Sequence, residues 1–217
     1  MNNENVYKDV ANELVKFQFE TSESSNNEES LKSYPFEFLL RISYQLSGTS
    51  IKLSYEVENL GLETLLFSIG AHPAFNLPLV EGTVYEDYFL EFDKPEDSVR
   101  HTLKGNIVSG TTPFFDHDTR LPLKASLFKD DALIFKDLKS TRISIKSNKT
   151  SHGLHYDFAG FPYMGIWAAP NAPFVCIEPW CGIADVEGHN QNIEDKEGII
   201  GLPDGQKWTK GWSLECF

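Results

Sequence analysis

Glu178 is the residue of this sequence best placed to do chemistry. It follows the apolar run of residues 174–177 and leads into Pro179-Trp180. A carboxylate at the end of an apolar strand, with aromatic neighbours, is partly desolvated. Desolvation raises its pKa above the ordinary glutamate value of about 4.3. That is how a carboxylate becomes a usable general base near neutral pH. A structural role competes: Glu178 caps the strand end and bonds a backbone N–H or an arginine, and such ion pairs perturb pKa values too. Residue types alone leave both open.

The other chemistry-bearing residues carry weaker signals. His152 and His155 have a spacing that suits a metal on a helix, but their stretch reads as turn and strand. No Cys or carboxylate cluster joins them, so no metal site is expected. Cys176 and Cys181 flank Glu178 without an obvious base partner and read as small buried hydrophobes. His101, His117 and His189 lie in polar, turn-like sequence and read as solvated. Asp185 ends a glycine turn and is expected to hold the loop after Glu178 by bonding backbone N–H groups.

The elements that must position Glu178 are strands. Residues 163–167 and 174–177 are apolar runs around a Pro/Ala/Asn connection, the pattern of two buried strands joined by a loop. Upstream, residues 12–19 and 37–43 alternate apolar and polar side chains, the period of a half-buried strand. Residues 21–29 between them are polar and read as loop. A turn around Gly48 makes residues 41–44 and 51–57 a hairpin. Residues 65–70 form a short apolar run into Gly70-Ala71-His72-Pro73, and residues 85–92 alternate again. Residues 93–125, rich in Pro, Gly and Asp, read mostly as loop with one or two short strands. Residues 131–135, 142–145 and 155–158 resemble strands, one helical turn fits residues 193–196, and residues 208–217 read as a closing strand. About a dozen short strands separated by turns predict an all-β sandwich.

Composition bounds the partners. The 217 residues carry a net charge of −13, which argues against nucleic acid and anionic membrane surfaces. Apolar residues at 41% and charged residues at 24% are globular values. No stretch approaches the roughly 18 continuous apolar residues of a membrane span, and residues 1–10 lack a signal-peptide core. The three cysteines, all near the C-terminus, do not suggest a disulfide framework. A cytoplasmic protein is expected.

Two longer stretches carry a resemblance. Residues 68–79 (SIGAHPAFNLPL) and 161–185 (FPYMGIWAAPNAPFVCIEPWCGIAD) together resemble the aldose 1-epimerases, or galactose mutarotases, of the bacterial LacX-like branch. Residues 34–46 and 195–200 fit that branch too. The resemblance implies a single domain over residues 1–217: a large, twisted, antiparallel β-sandwich of the galactose mutarotase type. It also implies interconversion of the α and β anomers of a free hexose, without a cofactor. By the same resemblance His72 protonates the ring oxygen and Glu178 takes the proton of the anomeric hydroxyl. Asp131, expected to open the strand of residues 131–135, matches the family's sugar-binding aspartate, and Asn76 and Trp180 are the further sugar contacts.

The implied chemistry suits those residue types. Opening a cyclic hemiacetal needs one proton removed from O1 and one given to O5, so a base and an acid on opposite sides of the ring suffice. Histidine is a natural donor near neutral pH. Family members also carry an N-terminal section with an arginine and a second histidine in an HGFAR-like motif, which this sequence lacks. The expectation is therefore a sandwich incomplete at its N-terminus, with an exposed sheet edge. A non-catalytic sugar-binding or sensing protein that keeps the pocket is the alternative.

Overall fold

The computed structural model describes the backbone of residues 15–20 and 28–217 and the side chains of residues 31–217. Two large antiparallel sheets dominate. In the eight-stranded sheet the spatial order is Val15–Glu20, Phe38–Ser47, Ser50–Asn59, Lys207–Cys216, Leu154–Asp157, Arg142–Ser147, Tyr88–Glu96 and Asp118–Pro122. The seven-stranded sheet runs Ile69–Gly70, Phe174–Cys181, Tyr163–Trp167, Leu133–Lys136, Val99–Lys104 and Ile107–Pro113, with Ala74–Asn76 also pairing Phe174–Cys181. A small ribbon joins Leu65–Phe67 to Ile200–Leu202.

Side-chain alternation decides what meets between the sheets. Leu53, Tyr55, Leu90, Ile143 and Tyr156 come from the first sheet, and Leu133, Phe135, Ile166, Val175 and Ile177 from the second. Together they belong to one buried cluster. Each such side chain contributes about 1.5–3 kcal/mol by leaving water, which makes this shared layer the main stabiliser of the sandwich. The all-β antiparallel sandwich is thus the fold that the alternation predicts.

Several local expectations need correction. Residues 93–125 hold far more strand than expected, since Val99–Lys104 and Ile107–Pro113 form a hairpin and Asp118–Pro122 an edge strand. These strands lie at or next to sheet edges and are mostly exposed or half-buried. Their polar residues face water, which hides the alternation that a buried face would impose. Glu28 and Glu29, expected in a loop, begin the short helix Glu28–Ser33, whose last turn carries Lys32 at the favourable end of the helix dipole. The rest of that expected loop, and residues 12–14 of the first expected strand, lie outside the described residues.

Asp131 does not open a strand. It occupies the preceding turn with φ of 82°, a left-handed conformation that aspartate tolerates better than most residues, and the strand begins at Leu133. His101 is not in a turn but on Val99–Lys104, half-buried, with its pKa lowered by burial and then by the Lys136 charge. Asp185 pairs with the Lys196 ammonium rather than with backbone N–H groups. His155 stands on a strand, bonded to Ser144 Oγ at 2.8 Å, while His152 lies in the exposed turn before it. Among the described residues, no helix is long and apolar enough to cross a membrane.

Candidate active site

The strand Phe174–Cys181 has two faces. Val175, Ile177 and Cys181 point into the main core. Alternation therefore sends Cys176, Glu178 and Trp180 to the other side of the sheet. Across the ladder Glu178 lies opposite Gly165, and Trp180 opposite Tyr163.

Two glycines make room there. A Cβ on Gly165 would sit 2.4 Å from ring atoms of Trp180, and one on Gly70 would sit 2.6 Å from Trp180 Cδ1. The indole thus rests against bare backbone on two strands, an approach that only glycine allows. From that seat the Trp180 side chain faces Glu178 and draws its pKa down against the effect of burial.

His72 reaches Glu178 from the Ile69–Gly70 side. The backbone on both sides of it is tied to the same strand, since Ala71 N–H donates to Pro179 O at 3.0 Å and Pro73 O accepts from Ile177 N–H at 3.4 Å. Held between these bonds, His72 places Nε2 3.2 Å from Glu178 Oε1. The Trp167 ring stands edge-on to the imidazole, 6.3 Å between centroids. The two partners differ sharply in exposure: the His72 side chain is 62% exposed and that of Glu178 is 7%. A reactant can therefore reach the histidine from solvent while the carboxylate stays desolvated.

Burial raises the Glu178 pKa above the ordinary carboxylate value, and the His72 charge and the nearby Trp180 indole only partly offset it. A second buried glutamate shows what a structural role looks like. Glu96 accepts from Ser140 N–H at 2.7 Å and from Lys139 N–H at 3.0 Å, so both its oxygens close backbone donors. Among the described residues Glu178 has no such backbone partners; its neighbours are the side chains of His72, Trp180 and Cys176. A cavity of about 440 Å³ lies against the Trp180 indole, lined also by Gly70, Ile134 and Ile183.

The aldose 1-epimerase family profile matches residues 6–192. The chain belongs to the aldose 1-epimerase family. Both LacX proteins of Lactococcus lactis subsp. lactis, plasmid and chromosomal, are 40% identical to it over 179 residues, covering 80% of this chain and 60% of theirs. Among solved structures, the galactose mutarotase related enzyme from Lactobacillus acidophilus superposes with a TM-score of 0.82 at 32% identity, over 94% of this chain and 68% of that one. A galactose mutarotase-like protein from Lactobacillus casei gives 0.76 at 27% identity, over 94% and 70%. This family member thus spans about 60% of the length of the curated LacX relatives that it matches.

Of the residues expected to bind or react, this aldose 1-epimerase family chain brings His72, Glu178 and Trp180 together. Asn76 lies across the ladder from Phe174, two positions along the strand from the partner of Cys176, and is exposed. Asp131 stands next to Ala132, which lines the cavity by Trp180, and its carboxylate accepts from the Ala132 N–H at 2.7 Å. Farther along the same face, Lys136 Nζ pairs with Glu197 at 2.7 Å and the Tyr163 hydroxyl donates to Glu197 at 3.3 Å. Sequence reasoning missed three contributors. Gly70 and Gly165 matter only through what lies against them. Cys176, buried as its sequence context predicts, also holds its Sγ within 4.8 Å of the His72 and Glu178 ligand atoms.

Proposed function

We propose that this protein interconverts the α and β anomers of a free hexose such as glucose or galactose by general acid–base ring opening and reclosure. The observation that carries the proposal is the desolvated Glu178 carboxylate in contact with a solvent-open imidazole. The elevated Glu178 pKa makes the carboxylate a stronger base than a solvated one.

The contact between the two groups suits a reaction centred on one carbon. In a hemiacetal O1 and O5 are both bonded to C1, so groups that serve both oxygens must converge on one carbon. On binding, C1 enters between the two side chains, O1 toward Glu178 and O5 toward His72. Glu178 takes the O1 proton as His72 gives one to O5, and the C1–O5 bond breaks. Rotation about C1–C2 and reclosure with the roles reversed yield the other anomer. Trp180 offers an apolar face beside C1, while Asp131 and Asn76 supply polar contacts for hydroxyls.

Polarimetry tests this directly. Addition of the protein should speed the equilibration of freshly dissolved α-glucose or α-galactose in proportion to its concentration. Equilibration no faster than in buffer, with sugar binding seen by calorimetry, would move the assignment to a non-catalytic carbohydrate-binding protein.

A further inference from the structure

Glu178 and His72 have a third neighbour that proton transfer does not use. Cys176 shares their face of the strand, and one ligand atom from each of Cys176, Glu178 and His72 lies within 4.8 Å of the other two. We propose that these three side chains form a binding site for a thiophilic divalent metal ion, Zn²⁺ above all, which occupies the catalytic face in competition with sugar.

The donor set argues for that class of ion. Sulfur, imidazole nitrogen and carboxylate oxygen suit zinc, whereas Mg²⁺ and Ca²⁺ prefer oxygen alone. Zinc bonds of about 2.0–2.3 Å hold tetrahedral ligands roughly 3.3–3.8 Å apart. His72 and Glu178 already stand at 3.2 Å, so closing the site needs only small rotations. Two donors are buried and the third is exposed, which leaves the fourth position toward water. Charge favours the ion as well. Binding forms a metal–sulfur bond and releases the thiol proton to solvent, and the dication then offsets two buried anionic ligands.

Metal binding by these side chains does not depend on the acid–base assignment; only its inhibitory consequence does. The test is a titration with Co²⁺, which enters zinc-type sites and reports a thiolate ligand by its charge-transfer absorption. A Cys216→Ser background removes the exposed thiol. One equivalent of Co²⁺ should produce the band, Zn²⁺ should abolish it and Mg²⁺ should not. Cys176→Ser should abolish the band, and His72→Gln, at an exposed position, should weaken Zn²⁺ binding by at least about tenfold. Losing a group that merely bonds a ligand already costs about 10–100-fold. Zinc should also slow mutarotation, with relief in Cys176→Ser. Absence of a cobalt band, or a band that survives Cys176→Ser in folded protein, would overturn the site. A chain that binds Co²⁺ through Cys176 but never catalyses mutarotation would sink the enzymatic assignment and leave the metal site standing.

Discussion

Trp180 lies so close to Gly165 that even a methyl group on the glycine would sit 2.4 Å from the indole ring. The same indole faces Glu178 and lowers its pKa against the effect of burial. A position with no side chain thus sets the surroundings of the carboxylate across the ladder. Gly165→Ala should push the ring off its seat. Overpacking of this kind costs about 1–3 kcal/mol, and moving the indole away should raise the Glu178 pKa further. Denaturant unfolding followed by tryptophan fluorescence would read both the stability and the ring's environment. An alanine variant with unchanged stability and an unchanged emission spectrum would refute the packing assignment.

Glu178→Gln keeps the shape of the side chain and removes the proton-accepting charge. General base catalysis contributes on the order of 10²–10⁴ in rate, so polarimetric mutarotation should fall by a factor in that range while sugar affinity changes much less. His72→Asn should lower the rate similarly. The double variant should be little worse than either single one, because the two groups act on one proton-transfer event. Strict multiplication of the two losses would indicate independent roles.

The pH dependence has a definite sign. Burial raises the Glu178 pKa in the folded chain, so the native state binds this proton more tightly than the unfolded state does. Its contribution to stability is fully present below the ordinary glutamate value of about 4.3 and is lost as pH rises through the folded value. The stability of wild type relative to Glu178→Gln should therefore decline over that interval, as measured by urea unfolding at a series of pH values. The acid limb of kcat/KM should likewise have its midpoint above about 4.3. A stability difference that grows with pH would mean a depressed pKa and a structural carboxylate.

Glu96 provides the control. Glu96→Ala leaves the Ser140 and Lys139 N–H groups without their acceptor, and the buried Ser140 donor alone then costs about 1–3 kcal/mol. Melting temperature should drop clearly while the mutarotation rate per folded molecule stays the same. A rate loss without a stability loss would reverse the roles assigned to the two buried glutamates.

Much of this molecule was written in the sequence. The apolar runs around Glu178 specify two adjacent buried strands, because hydrophobic side chains and a short connection leave few other places for them. The alternation in residues 51–57 specifies a hairpin with one buried face, and the desolvation of Glu178 follows from its apolar and aromatic neighbours. The edge strands within residues 93–125 were not legible, since strands exposed along most of their length bury too few side chains to impose an apolar/polar period. The turn at Asp131 was hidden for another reason: a left-handed φ is tolerated by aspartate but not announced by it.

Only the tertiary structure decided what surrounds the carboxylate. Two backbone hydrogen bonds tie the chain on either side of His72 to the strand of Glu178, and neither donor nor acceptor is encoded by a side chain. Gly70 and Gly165 became the seat of Trp180 through the pairing of three strands, a register set by the whole sheet. Cys176 looked like one more core residue in an apolar run. Its position on the outer face, beside Glu178 and His72, follows from the two-residue period of a strand whose opposite face had been claimed by the core.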